Sequence, residues 1–106
     1  MTRRGTTPTH IFRPKNKKKE AIDLRSAAVI FMTYKQAGKV VFEKTKDDME
    51  ITETEVRIHL SQEDTLKLST LSEVKIQCRA RYPDGEAIGS KVKTVPVCEI
   101  LKDGVI

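Results

Sequence analysis

The sequence predicts an all-β protein, built as an antiparallel β-sandwich of about seven strands with one short helical turn. Three observations predict it. From Glu73 to Tyr82 the chain alternates strictly: Val74, Ile76, Cys78, Ala80 and Tyr82 share one parity, and Lys75, Gln77, Arg79 and Arg81 the other. A pleated strand sends those sets to opposite faces, whereas a helix would mix them. Turn signals recur roughly every eight to twelve residues, the spacing of short antiparallel strands. Strands do not alternate with helical segments, which argues against a Rossmann-like or P-loop domain.

The elements follow in order. Residues 1–8 are short, polar and basic and end at Pro8, and they read as a flexible basic N-terminal arm. Residues 9–106 read as a single domain. Thr9 to Arg13 forms a first short strand with Ile11 and Phe12 as its apolar content. Pro14 stops it, because proline cannot donate to a ladder. Asn16 to Glu20 is then an exposed basic loop. The run from Ser26 to Lys35 is rich in β-branched and aromatic residues and reads as a central strand buried on both faces. Ala28, Ile30, Met32 and Tyr34 would lie on one face, and Val29 and Phe31 on the other. Gln36-Ala37-Gly38-Lys39 turns the chain, with Gly38 free to take a positive φ, and Val40 to Lys44 returns as the hairpin partner.

Lys46-Asp47-Asp48 is a polar break. Met49 and Ile51, then Val56, Ile58 and Leu60, mark two half-buried strands. Ser61 caps a short helical turn, with Glu63 and Asp64 in its first turn. After the strand at Glu73–Tyr82, Pro83-Asp84-Gly85-Glu86 is a strong turn, and Ala87 to Val97 runs back. The number and spacing of strands suggest an immunoglobulin-like sandwich.

A chain of 106 residues is about one domain long and can bury a core without metals or disulfides. Aromatic residues make up 5% and tryptophan is absent, so the core must rest on aliphatic side chains. No apolar run approaches the roughly 20 residues of a membrane span. The basic start has no apolar stretch behind it, so no signal peptide is expected and residence in the cytoplasm follows. Net charge is +5, but the excess is local. Arg3, Arg4, Arg13, Lys15, Lys17, Lys18 and Lys19 account for it, and without them 13 basic residues face 15 acids.

No nucleophile, metal or phosphate signature is present, and no catalytic residues, metal ligands or cofactors are expected. His59 alternates outward and reads as a solvated strand residue, as does His10. Cys78 lies on the apolar face of the best strand, and Cys78 and Cys98 are expected as free thiols. Asp47, Asp48 and Glu50 read as a solvated turn, without the spacing of a calcium loop. The seven basic residues are the candidate anion or nucleic-acid contacts. They read first as a solvated loop, because stacking aromatics and a groove-reading helix are missing. Ile100, Leu101, Val105 and Ile106 are the candidate assembly contacts. Their apolar side chains at the end of the sequence need a cover, from the core or from a neighbour.

Several segments carry a resemblance. Arg4-Gly5-Thr6-Thr7-Pro8-Thr9-His10-Ile11-Phe12, Leu60-Ser61-Gln62-Glu63-Asp64-Thr65-Leu66-Lys67, Thr94-Val95-Pro96-Val97 and Ile100-Leu101-Lys102-Asp103-Gly104-Val105-Ile106 occur in this order. Together they resemble small proteins encoded among the structural genes of phages and prophages of Gram-positive bacteria. The strand order is also similar in architecture to the N-terminal domain of phage baseplate upper proteins. The resemblance implies a non-enzymatic virion protein of head, tail or baseplate. It would be made in the host cytoplasm and then built into the virion, with copies of itself or other virion proteins as partners. Nucleic-acid binding through the basic arm and loop is the alternative.

Overall fold

A computed structural model describes residues 2–15, 18–90, 92–102 and 104–106. Among these residues the chain forms ten strands: β1 (Thr2–Arg3), β2 (Thr9–Phe12), β3 (Val29–Gln36), β4 (Lys39–Thr45), β5 (Met49–Ile51), β6 (Val56–His59), β7 (Val74–Arg81), β8 (Ala87–Gly89), β9 (Lys93–Val95) and β10 (Val97–Cys98). A 3₁₀ turn covers Lys46–Asp48 and one short helix, α1, covers Gln62–Leu66. No described helix is long and apolar enough to cross a membrane.

The protein is mostly β, with antiparallel sheets and no barrel. Two main sheets run β4-β3-β7-β8, with β9 also on β7, and β2-β6-β5, and β1 with β10 makes a third of two strands. The alternation that predicted β7 is borne out: Val74, Ile76, Cys78 and Ala80 are buried, and the residues between them are exposed. Strand β3 supplies Ile30, Met32 and Tyr34 beside them, and β6 supplies Val56 and Ile58 from the other sheet. Leu60, Leu24 and Leu68 join this core from the connections.

The expected double burial of the Ser26–Lys35 strand is corrected. Only one face of β3 is covered: Phe31 is 41% exposed, and Ala28 precedes the strand on the surface. On its outer side Val29 and Thr33 are half-buried, and Phe31 and Lys35 are exposed. The return strand from Ala87 is also interrupted. Ser90 breaks the ladder between β8 and β9, where its amide donates to the Cys78 carbonyl at 2.9 Å and its hydroxyl accepts from the Cys78 amide at 3.0 Å. This break, with β1 and β10, raises the count from the seven strands expected to ten.

Residues 2–8 differ most from the flexible arm expected. β1 pairs in parallel with β10 (Thr2 opposite Val97, Arg3 opposite Cys98). Thr2 is 1% exposed, and the Thr6 carbonyl accepts from the Thr65 hydroxyl at 2.8 Å. The partner strand sits at the other end of the chain, so no local pattern announces it. Gly5 makes this docking possible. Its φ is +73°, and a Cβ there would stand 2.9 Å from Ile100 Cδ1.

The helix start at Ser61 is borne out. The Ser61 hydroxyl accepts from the Asp64 amide at 3.1 Å, and the Asp64 carboxylate accepts from the Ser61 amide at 3.0 Å. That reciprocal pair satisfies two amides that a helix end leaves bare. The β3–β4 hairpin turns through Ala37 (φ 50°) and Gly38 (φ 78°). Two successive positive φ values suit the right-handed twist of a two-residue hairpin, and Gly38 meets its half without strain.

Candidate interaction surfaces

Three features of the molecule bear on function: an aromatic stack, a cleft with a basic rim, and a set of exposed apolar residues. The stack begins with Tyr34 at the centre of β3. Its ring lies 4.4 Å from Phe42 on β4 and 5.8 Å from His10 on β2, so it joins the two sheets. His10 Nδ1 lies 2.8 Å from the Tyr34 hydroxyl, and Nε2 lies 3.1 Å from the Thr2 hydroxyl. His10 is therefore not the solvated residue expected. It is half-buried, with both nitrogens engaged. Burial, and then the charge of Lys93, lowers its pKa. Burial, and then the charge of Asp64, raises that of Tyr34. Both ring systems stay neutral near pH 7, which suits a packing and registering role. His59 does face outward, near Glu50 at 3.4 Å.

Between the edge of β2 and the edge of β9 the two sheets leave a cleft of about 510 Å³. Its floor is apolar, with Met32, Val56 and Cys78, and Phe12 forms one wall. Arg13, Lys15, Lys19 and Lys93 stand around it. Arg13 is committed to Glu55 at 2.9 Å. Lys93 lies 5.5 Å above the Phe12 ring. Lys15, Lys19 and Lys93 form no ion pair among the described residues. Burial pushes the Cys78 thiol up to about 11, so it sits in the floor as a protonated, unreactive group.

The six described basic residues do not form one patch. Arg3 donates to the Glu99 carbonyl at 2.8 Å and Arg4 to the Leu66 carbonyl at 3.1 Å. Both precede β2 and lie beside α1 and β10. Arg13, Lys15 and Lys19 follow β2, at its far end around the cleft. Lys18 is exposed nearby, and Lys17 lies outside the described residues. The fold thus divides the charge that looked continuous in sequence.

The 69–71 connection touches the last residues through one hydrogen bond. Thr70 Oγ1 donates to Glu99 at 3.4 Å. The Gln62 side chain brackets the Ile106 backbone, accepting from its amide at 2.8 Å and donating to its carbonyl at 3.1 Å. Glu99 and Ile106 are thereby both fixed. Of the four candidate assembly residues, Ile100 turns inward toward Gly5, while Leu101, Val105 and Ile106 are exposed. Leu71, which the sequence reading missed, is 95% exposed. A lone leucine in a polar loop gives no local signal that it will be left uncovered.

The acidic break is structural. Asp48 accepts from the Thr45 amide at 3.0 Å and caps the 3₁₀ turn. Among the described residues no three metal-ligating side chains cluster. Both cysteines are free. Compared with known proteins, the chain matches no family model, no curated sequence and no solved structure.

Proposed function

We propose that this chain is a non-enzymatic assembly protein of a phage particle, a head, tail or baseplate component that packs against copies of itself or other virion proteins. One observation carries the assembly reading: Leu71, Leu101, Val105 and Ile106 are all left exposed, while Thr70 bonds Glu99 and Gln62 holds the Ile106 backbone. Large apolar side chains open to water on tethered segments are what a contact surface would cover. The phage setting is supported by the resemblance of the segments from Arg4, Leu60, Thr94 and Ile100. In this reading the two sheets form an immunoglobulin-like sandwich whose exposed apolar residues do the docking.

The test is gel filtration with light scattering on the chain and on a Leu101→Ser/Val105→Ser/Ile106→Ser variant. Burying one such side chain contributes roughly 1.5–3 kcal/mol. The variant should therefore weaken association by about tenfold or more for each residue at the contact. A monomer for both proteins at every concentration would defeat the reading.

A further inference from the structure

We propose that the chain joins to a second copy of itself through the two open edges of its three-stranded sheet, β2 of one copy pairing with β5 of the next. The proposal rests on the assembly reading above and names a second surface for it.

In the order β2-β6-β5 both outer strands lack a strand partner on one side among the described residues. The alternation of an antiparallel ladder fixes which groups are spare. The Leu60 amide bonds the Pro8 carbonyl at 3.0 Å, so His10 and Phe12 turn their backbone groups toward β6. Thr9 and Ile11 turn theirs to the open side. On β5, the Thr52 amide bonds the Glu55 carbonyl at 2.9 Å, so Glu50 faces β6 and Ile51 faces out. Each edge is a short template for one more strand.

Charge selects the pairing. Lys15, Lys19 and Lys93 flank the β2 edge without ion pairs among the described residues. On the β5 side stand exposed Asp47, in the turn before the strand, and exposed Glu50, whose carboxylate lies 3.4 Å from His59. Two β2 edges would repel each other, as would two β5 edges, and only β2 against β5 is attractive. Such a contact joins different surfaces of identical chains. It is heterologous and propagates head to tail, closing into a ring or extending as a filament.

The experiment reads this contact alone by working in the Leu101→Ser/Val105→Ser/Ile106→Ser background, which removes those apolar side chains. Sedimentation equilibrium is run at about 0.05 M and about 0.5 M salt. Screening at the higher salt should weaken association at least about tenfold. A Lys15→Glu/Lys19→Glu protein has two acidic edges and should be monomeric. An Asp47→Lys/Glu50→Lys protein has two basic edges and should also be monomeric. Mixing the two should restore association, because each reversed edge then meets its complement. Circular dichroism checks each fold. Should a reversal unfold the chain, Lys15→Gln/Lys19→Gln must still weaken association by tenfold. No association in the background protein, or association untouched by either reversal, would overturn the edge pairing. If the unaltered chain still associates in that case, the assembly reading survives without it.

Discussion

Gln36 gives the sharpest test of how the fold is held. It ends β3 with its side chain in the protein, and it is 7% exposed. Its amide nitrogen donates to the Ser69 carbonyl at 2.8 Å and to the Ser72 carbonyl at 2.9 Å, and its oxygen accepts from the Ser69 amide at 2.8 Å. One side chain thus anchors the whole connection between α1 and β7, including the segment that presents Leu71. Replacing it by methionine keeps the volume and removes all three bonds. Each bond contributes about 1 kcal/mol net, and a stranded buried partner adds to the loss, so the change should cost about 3 kcal/mol. Urea unfolding is the assay. With a slope of about 1.5 kcal/mol per molar, the midpoint should fall by about 2 M at unchanged slope. Gln77→Met is the control. Its single exposed bond, to the Ser90 carbonyl at 3.0 Å, should leave the midpoint within about 0.5 M. A Gln36→Met loss below about 1 kcal/mol would refute the idea that this amide fixes the connection.

Other outcomes follow from single sites. Ala37 holds a positive φ of 50° that a Cβ disfavours, so Ala37→Asn should stabilise the hairpin by about 0.5–1 kcal/mol, read as a higher melting temperature. His10 has a pKa held below its ordinary 6.5 by burial and by Lys93. Folding then disfavours the proton: the support is complete above about 6.5 and is lost as pH falls from there through the folded value. The melting temperature should drop from pH 7 to pH 5, and His10→Gln should flatten that drop; an identical slope in both proteins would exclude His10 as its source. Cys78 lies in the cleft floor with its thiol pushed up to about 11, whereas Cys98 is only half-buried. Iodoacetamide should label Cys98 first in the native protein and reach Cys78 only on unfolding, as peptide mass mapping would show.

What could be read from the sequence was what local alternation and turn chemistry encode. β7 and its four buried residues, the β3–β4 hairpin and the Ser61 cap all depend on neighbours a few positions away. What escaped depends on distant partners. Thr2 is buried only because Val97 and Pro96 lie beside it. His10 is half-buried only because Tyr34 on the facing sheet comes within hydrogen-bond reach. Phe31 looks like a core residue by composition, yet it lies on the outer side of β3, 41% exposed. The candidate surfaces behaved the same way. The basic residues were visible, but their separation to the two ends of β2 and the exposure of Leu71 come from topology.

Assembly is the claim on which the functional account turns, and sedimentation velocity of the unaltered chain over a wide concentration range tests it most directly. The account predicts a weight-average sedimentation coefficient that climbs with concentration and climbs further when salt is lowered. A single boundary of the 12.0 kDa chain at every concentration and salt would contradict it.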